Sequence, residues 1–379
     1  MNIAIACGGT GGHIFPGLAT AQALRKRGVV VSLWLSGREV ENVSIENWDG
    51  PIVTVKAEGF PSAISLRSIG IAIRFIGNIL RCRKRMRENP PDVLLAMGSY
   101  ASVGPVIAAW NLGIPVVLHE ANAIPGRAVS FLARFASAIA ITFPSASQYF
   151  RHKHIIVTRL PVRAATDARF EEGLIRKDGK FTVLVMGGSQ GARRLNEITS
   201  AALCMLHRTG APVQVIHLTG EKNESLVKVT YDRCDVPALV LGFLKDMNKA
   251  YNAADIAICR SGAGACMELA IHGIPALFVP LPSARRDHQM KNARVLEEAG
   301  AADVMEEKNV SPEYLMEYIA KCMENRERLD KMKIQMKNIG ISDAAERLAD
   351  LVIGQVTKLD GVALERDAMP GQVTTRPAK

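Results

Sequence analysis

Short apolar runs, each closed by a glycine-rich turn and followed by a stretch with helical spacing, recur along this chain. The first runs from Met1 into Cys7-Gly8-Gly9-Thr10-Gly11-Gly12-His13. Ile14, Leu18, Ala21 and Leu24 then repeat as one helix face, and Gly28 supplies a stop before the apolar run Val29 to Leu35. The second half restarts the pattern, with Phe181 to Met186 leading into Gly187-Gly188-Ser189-Gln190-Gly191. Further strands are predicted at Val93 to Ala96, Pro115 to Leu118, Val213 to Leu218, Leu239 to Phe243, Asp255 to Cys259 and Pro275 to Pro282. Helices are predicted over Leu66 to Arg87, Ser311 to Met336 and Asp343 to Ile353. Strand and helix alternate throughout, which predicts an α/β protein with parallel sheets. Similar units at the heads of two similar halves predict two Rossmann-like doubly wound domains facing across a cleft, hinged near Arg159 to Arg163. Residues from Gln355 to Lys379 are polar and are expected to be disordered.

The turns carry the chemistry. Consecutive glycines let the backbone bend and present N–H groups at a helix start, where the peptide dipoles favour a phosphate or another oxyanion. A nicotinamide-dinucleotide reading fails on two counts. Ile14 stands where the last glycine of G-x-G-x-x-G belongs, and the second strand ends Leu35-Ser36-Gly37 without a ribose-binding acid. No Gly-Lys-Ser/Thr follows, which excludes a Walker loop. Other turns at strand ends hold Gly98-Ser99-Tyr100, His119-Glu120-Ala121-Asn122 and Arg260-Ser261-Gly262-Ala263-Gly264-Ala265. His119 and Asn122 are candidates by position, although both residue types also serve as core or turn groups. The small residues Ala263, Gly264 and Ala265 permit close approach of a diphosphate, and Glu268, one turn into that helix, is placed to accept two ribose hydroxyls.

Composition narrows the setting. With 379 residues, 48% of them hydrophobic and 22% charged, the chain is long enough for two separate cores. No long uncharged apolar run and no basic leader is present, so neither a membrane span nor export is expected. The seven cysteines have no C-x-x-C or zinc-like spacing and are expected to be free, mostly buried thiols in a reducing cytosol. The net charge of +10 lies wholly in the first half: through Arg163 there are 18 Lys and Arg against 8 Asp and Glu, leaving 29 against 29. Such a field attracts diphosphates or anionic lipid. Aromatic residues are only 5%, and no nucleic-acid-reading motif is present, which argues against a nucleic-acid partner.

Over Leu66 to Arg87, Ile69, Ile73, Ile76 and Leu80 form one helical face, and Ile71, Phe75 and Ile79 lie roughly opposite. Arg67, Arg74, Arg81 and Arg85 run beside that second face. One reading is a doubly buried helix with solvated arginines. The other places Ile71, Phe75 and Ile79, rimmed by the four arginines, on an anionic membrane.

Taken together and in order, these motifs, with Pro161-Val162-Arg163, Gly187 to Asn196 and Asp287-His288-Gln289 followed by Asn292-Ala293, resemble the MurG family. The likeness runs from Asn2 to about Ile353. Family members move N-acetylglucosamine from UDP-N-acetylglucosamine to the C4 hydroxyl of undecaprenyl-diphospho-N-acetylmuramoyl-pentapeptide. The resemblance implies the GT-B fold, with a lipid-acceptor and membrane-binding domain over residues 1–162, joined by residues 341–354, and a donor-binding domain over 163–340. It implies that Glu268 holds the ribose, that Ser189 and the loop from Gly187 meet the diphosphate, and that Leu244 lies by the uracil. Gln289 would bond the sugar hydroxyls and Arg163 the nucleotide, with Thr10, Gly11, Gly12, His13 and Asn122 on the acceptor side. It also implies a peripheral protein of the cytoplasmic membrane face and, as further partners, cell-wall synthesis proteins.

Sugar transfer needs a base for the acceptor hydroxyl and stabilisation of the departing diphosphate. The chain contains no Asp-x-Asp, the usual metal-holding pair of such transferases, so helix-terminal N–H groups with Arg163 are expected to act without metal or cofactor. His13 is the expected base in an inverting displacement, though the same residue would also serve to cap or orient its loop. Other readings are a different GT-B glycolipid transferase, such as a glycosyl diacylglycerol synthase, and a non-catalytic membrane scaffold. The scaffold would have no need of Glu268 and Gln289.

Overall fold

A computed structural model describes residues 1–38, 41, 45, 48–55, 66–162, 168, 175, 179–188 and 191–367. Two wholly parallel sheets form the two domains. The first holds seven strands in the order β3-β2-β1-β4-β5-β6-β7: β1 (Asn2–Ala6), β2 (Val30–Leu35), β3 (Ile52–Thr54), β4 (Val93–Ala96), β5 (Val116–Glu120), β6 (Ala138–Ile141) and β7 (Ile155–Val157). The second holds six in the order β10-β9-β8-β11-β12-β13: β8 (Phe181–Met186), β9 (Val213–Leu218), β10 (Ala238–Leu241), β11 (Ile256–Cys259), β12 (Ala276–Phe278) and β13 (Ala302–Val304). Central strands β1, β4, β8 and β11 are buried almost end to end, as parallel strands covered on both faces must be. In each sheet the order reverses at the first strand, β1 or β8, so the crevice opens where those strands end.

The turns that end β1 and β8 require glycine. A Cβ on Gly8 would come within 2.5 Å of the Ser36 amide nitrogen. Gly191 has φ +73°, and a Cβ there would fall 2.2 Å from the Thr219 carbonyl oxygen. A buried chain of hydrogen bonds supports the second turn from behind. Asn196 donates to the Thr219 carbonyl at 2.9 Å, and His217 contacts the Asn196 side chain at 3.2 Å and the Tyr231 hydroxyl at 2.9 Å.

The helices are α1 (Gly11–Lys26), α2 (Leu66–Glu88), α3 (Val103–Asn111), α4 (Arg127–Leu132), α5 (Arg193–Arg208), α6 (Glu224–Asp232), α7 (Met247–Ala253), α8 (Ala263–His272), α9 (His288–Glu298), α10 (Pro312–Glu324), α11 (Arg326–Ile339) and α12 (Ala344–Asp367). Four of the expectations above need correction. The single helix expected over Ser311 to Met336 is two, because Asn325 leaves helical geometry and its side chain caps α11 by accepting from the Arg328 N–H at 3.0 Å. Helix α12 runs on to Asp367, past the expected start of a disordered tail at Gln355, since no proline interrupts it before Pro370. Its Leu348, Ala349 and Val352 pack into the first domain's core with Ile3, Ile5 and Leu24.

Cysteine usage also differs from the expectation of free thiols. Cys204 on α5 and Cys234, just after α6, form a disulfide with Cα atoms 5.6 Å apart, a proximity set by the packing of those helices. Cys7, Cys82, Cys259, Cys266 and Cys322 are free and buried.

The largest correction concerns α2. Phe75 and Ile79 turn inward and pack, beside buried Cys82 and Met86, against the first domain's core. Ile76 and Leu80 are the exposed apolar residues, at 57% and 56%. Helical spacing defines two apolar faces but not which of them meets the sheet. The side chains of Arg67 and Ile71 lie outside the described residues.

Candidate active site

A cleft of about 590 Å³ lies between the domains. Helix α1, after Thr10, and helix α8, after Gly262, begin at its walls without a side-chain cap. Their first N–H groups are therefore available to oxygen atoms of a ligand. The expected residues Thr10, Gly11, Gly12, His13, Asn122, Leu244, Ala263, Gly264, Ala265, Glu268 and Gln289 all line this space. Arg163 and Ser189 lie outside the described residues.

On the first domain's wall, His13 Nδ1 sits 2.8 Å from the Met97 carbonyl oxygen. A carbonyl can only accept, so Nδ1 carries the proton and Nε2 keeps its lone pair. Burial holds the imidazole pKa below its ordinary 6.5, and the Met97 carbonyl opposes that only in part. His13 is thus poised as a neutral proton acceptor. Behind it, fully buried His119 contacts the Arg159 carbonyl at 3.2 Å, and burial lowers its pKa to about 4.

Two carboxylates hold the turns on this wall. Glu41 accepts from the backbone N–H groups of Gly9 (2.7 Å), Ser36 (3.2 Å), Gly37 (2.7 Å) and Arg38 (3.1 Å), and from the Ser36 hydroxyl. Burial opposes its charge, but the Ser36 hydroxyl and the Gly9, Arg38 and Gly37 amides outweigh burial and hold the carboxyl below its ordinary range. Glu120 accepts from the Asn122 backbone and side-chain N–H groups at 2.8 and 3.1 Å, and from Gly126 N–H at 3.1 Å. Here burial wins over those bonds and pushes the pKa up to about 7. Glu41 escapes sequence reasoning because it stands 32 residues from Gly9 in a stretch without periodicity. Glu120 was visible as part of a motif but not as a group with a shifted pKa.

On the opposite wall, Glu268 accepts a hydrogen bond from the Tyr251 hydroxyl at 2.6 Å. Gln289 Oε1 accepts from Leu281 N–H at 2.9 Å, which makes its Nε2 the atom suited to donate to a ligand hydroxyl. The walls meet at Asn292, which is fully buried. Its Oδ1 accepts from Ala123 N–H at 2.8 Å, and its Nδ2 donates to Asn122 Oδ1 at 3.2 Å and to the Ser261 carbonyl at 3.1 Å. Arg286 adds a second bridge, donating to the Pro125 carbonyl at 2.8 Å.

Two doubly wound domains, with helix N-termini at a shared crevice that also holds an oriented histidine and the Glu268 carboxylate, define a GT-B glycosyltransferase. Residues 3–141 match the glycosyltransferase family 28 N-terminal domain and residues 182–348 its C-terminal domain. The chain is 35% identical over 359 residues to the UDP-N-acetylglucosamine--N-acetylmuramyl-(pentapeptide) pyrophosphoryl-undecaprenol N-acetylglucosamine transferase of Aeromonas hydrophila, covering 93% of this chain and 98% of that protein. It is 32% identical to the protein of the same name from Gloeothece citriformis, covering 93% and 95%. It also superposes on the crystal structure of Acinetobacter baumannii MurG with TM-score 0.77 and 30% identity, covering 93% of this chain and 99% of that one. The chain belongs to the MurG family of glycosyltransferase family 28.

Proposed function

We propose that this enzyme transfers N-acetylglucosamine from UDP-N-acetylglucosamine to the C4 hydroxyl of the muramoyl sugar of undecaprenyl-diphospho-N-acetylmuramoyl-pentapeptide, with inversion. The single observation that carries the reading is the shared cleft, with a neutral histidine on one wall and the uncapped start of α8 and Glu268 on the other. UDP binds the second domain, its ribose on Glu268 and its diphosphate at the start of α8 and the loop from Gly187, assisted by Ser189 and Arg163. Leu244 lies beside the uracil, and Gln289 Nε2 donates to the sugar. The acceptor enters over Thr10, Gly11, Gly12 and Asn122. His13 Nε2 takes the C4 hydroxyl proton as the acceptor oxygen bonds to C1 of N-acetylglucosamine. The C1–O bond to the diphosphate breaks in the same step, and UDP leaves with the electron pair. The added charge falls where backbone N–H groups already point, so those dipoles need little reorganisation.

Labelled UDP-N-acetylglucosamine incubated with the lipid-linked muramoyl acceptor will give one disaccharide lipid per UDP released. Transfer to diacylglycerol instead would replace this reading with that of a glycolipid synthase.

The enzyme works as a peripheral protein at the cytoplasmic membrane face, through the outward side of α2. No helix among the described residues is long and apolar enough to cross a membrane. Exposed Ile76 and Leu80 share α2 with exposed Arg74, Arg81, Lys84, Arg85 and Arg87, an apolar edge flanked by cations. The double variant Ile76→Asp, Leu80→Asp will lose about tenfold or more in sedimentation with phosphatidylglycerol vesicles, because two apolar side chains no longer enter the lipid. Turnover of a water-soluble acceptor analogue will be unchanged. Undiminished vesicle binding would remove α2 from the contact.

A further inference from the structure

Tyr251 does not belong to any glycine-rich turn, and no spacing rule singles it out. It lies on α7, whose start is capped by Asp246 accepting from Asn248 N–H at 3.2 Å. The side chain is only 5% exposed yet reaches the cleft wall. Its hydroxyl donates to Glu268 Oε2 at 2.6 Å, and its ring packs on His272 with centroids 4.8 Å apart. Glu268 and His272 are four residues apart on α8 and therefore neighbours on one face. Tyr251 thus braces that face at two points, one polar and one aromatic.

A glutamate has three rotatable bonds, and an unbraced carboxylate at a cleft wall samples many orientations that cannot meet two ribose hydroxyls together. We infer that Tyr251 is a positioning residue that locks the Glu268 carboxylate for a nucleotide cis-diol, and so sets the preference for a ribonucleotide over a 2′-deoxyribonucleotide. The inference rests on the proposed role of Glu268 as the ribose ligand. Each carboxylate oxygen offers two acceptor positions, so the oxygen that accepts from the Tyr251 hydroxyl can still accept a hydrogen bond from the ribose. The phenol is a dependable donor. Burial first, and then the neighbouring Glu268 charge, raise its pKa well above the ordinary 10, so it stays protonated at any working pH.

The test is calorimetric binding of UDP and of 2′-deoxy-UDP to the full-length enzyme, its Tyr251→Phe variant and its Glu268→Gln variant, with thermal melting as a check on folding. The wild type will prefer UDP by about tenfold or more, the worth of one hydrogen bond to a charged group. Tyr251→Phe keeps the ring on His272 and will shrink that preference at least about threefold. Loss of packing alone would weaken both nucleotides equally, so an unaltered ratio in Tyr251→Phe overturns the inference. If Glu268→Gln leaves the wild-type preference intact, or the wild type shows none, the ribose role of Glu268 falls and the positioning role falls with it.

Discussion

Replacing His13 by Ala will lower kcat about 10²- to 10⁴-fold, the usual worth of a positioned general base, and leave the affinity for UDP-N-acetylglucosamine unchanged. The split follows from where the residue stands. His13 lies on the first domain's wall, tied to Met97 at the end of β4, whereas Glu268 and Gln289, the groups proposed to hold the nucleotide sugar, belong to the second domain. The pH profile carries an independent signature. The base acts as neutral imidazole, and burial depresses its pKa below 6.5, so turnover will be flat from 6.5 upward as far as His13 is concerned and will fall as pH drops through the depressed value. Glu120, raised by burial to about 7, offers a competing explanation for any limb near neutrality. His13→Gln separates them: the limb below 6.5 must vanish from its residual activity, and a limb that persists belongs to another group. Undiminished turnover in His13→Ala would leave the residue only a loop-orienting role.

Asn292→Ala will cut kcat/KM for the lipid acceptor at least about tenfold while UDP affinity holds. The reason is that the Asn292 side chain bonds both walls of the cleft, through Ala123 and Asn122 on one side and Ser261 on the other. Removing it strands buried partners, each worth about 1–3 kcal/mol, and releases the loop that carries Asn122, the proposed acceptor contact. Asn292→Asp retains an acceptor for the Ala123 N–H but loses the donations from Nδ2, so its defect should be intermediate. An equal fall in nucleotide affinity would point to collapse of the donor domain, and unchanged acceptor kinetics would deny the bridge any part in turnover.

Helix α2 and the two cleft walls mark how far the chain can be read without coordinates. The strand, glycine turn and helix units were visible because they obey local rules: apolar runs of strand length, turns that need positive φ, helix starts that need open N–H groups. Thr10 to His13, Ala263 to Ala265 and Glu268 can be placed on the cleft walls for that reason, each lying in or next to such a unit. Glu41, Glu120 and Tyr251 act through bonds or burial that no spacing records. Their importance lies in what surrounds them: Gly9 and Ser36 for the first, Asn122 and a dry interior for the second, Glu268 and His272 for the third. The same limit explains the reversal on α2. Two apolar stripes of one helix are equivalent in sequence, and only the neighbouring core chooses Phe75 and Ile79 over Ile76 and Leu80.

Read alone, the chain determines two doubly wound domains, a glycine-rich turn at the head of each and a family likeness carried by short contiguous motifs, because backbone stereochemistry and hydrophobic period act over a few residues. The packed molecule decides which face of α2 meets solvent, that Cys204 reaches Cys234, which ring nitrogen of His13 is left to accept a proton, and how Asn292 joins the walls. These depend on contacts between residues distant along the chain, whose distances and burial exist only once both domains have folded around the cleft.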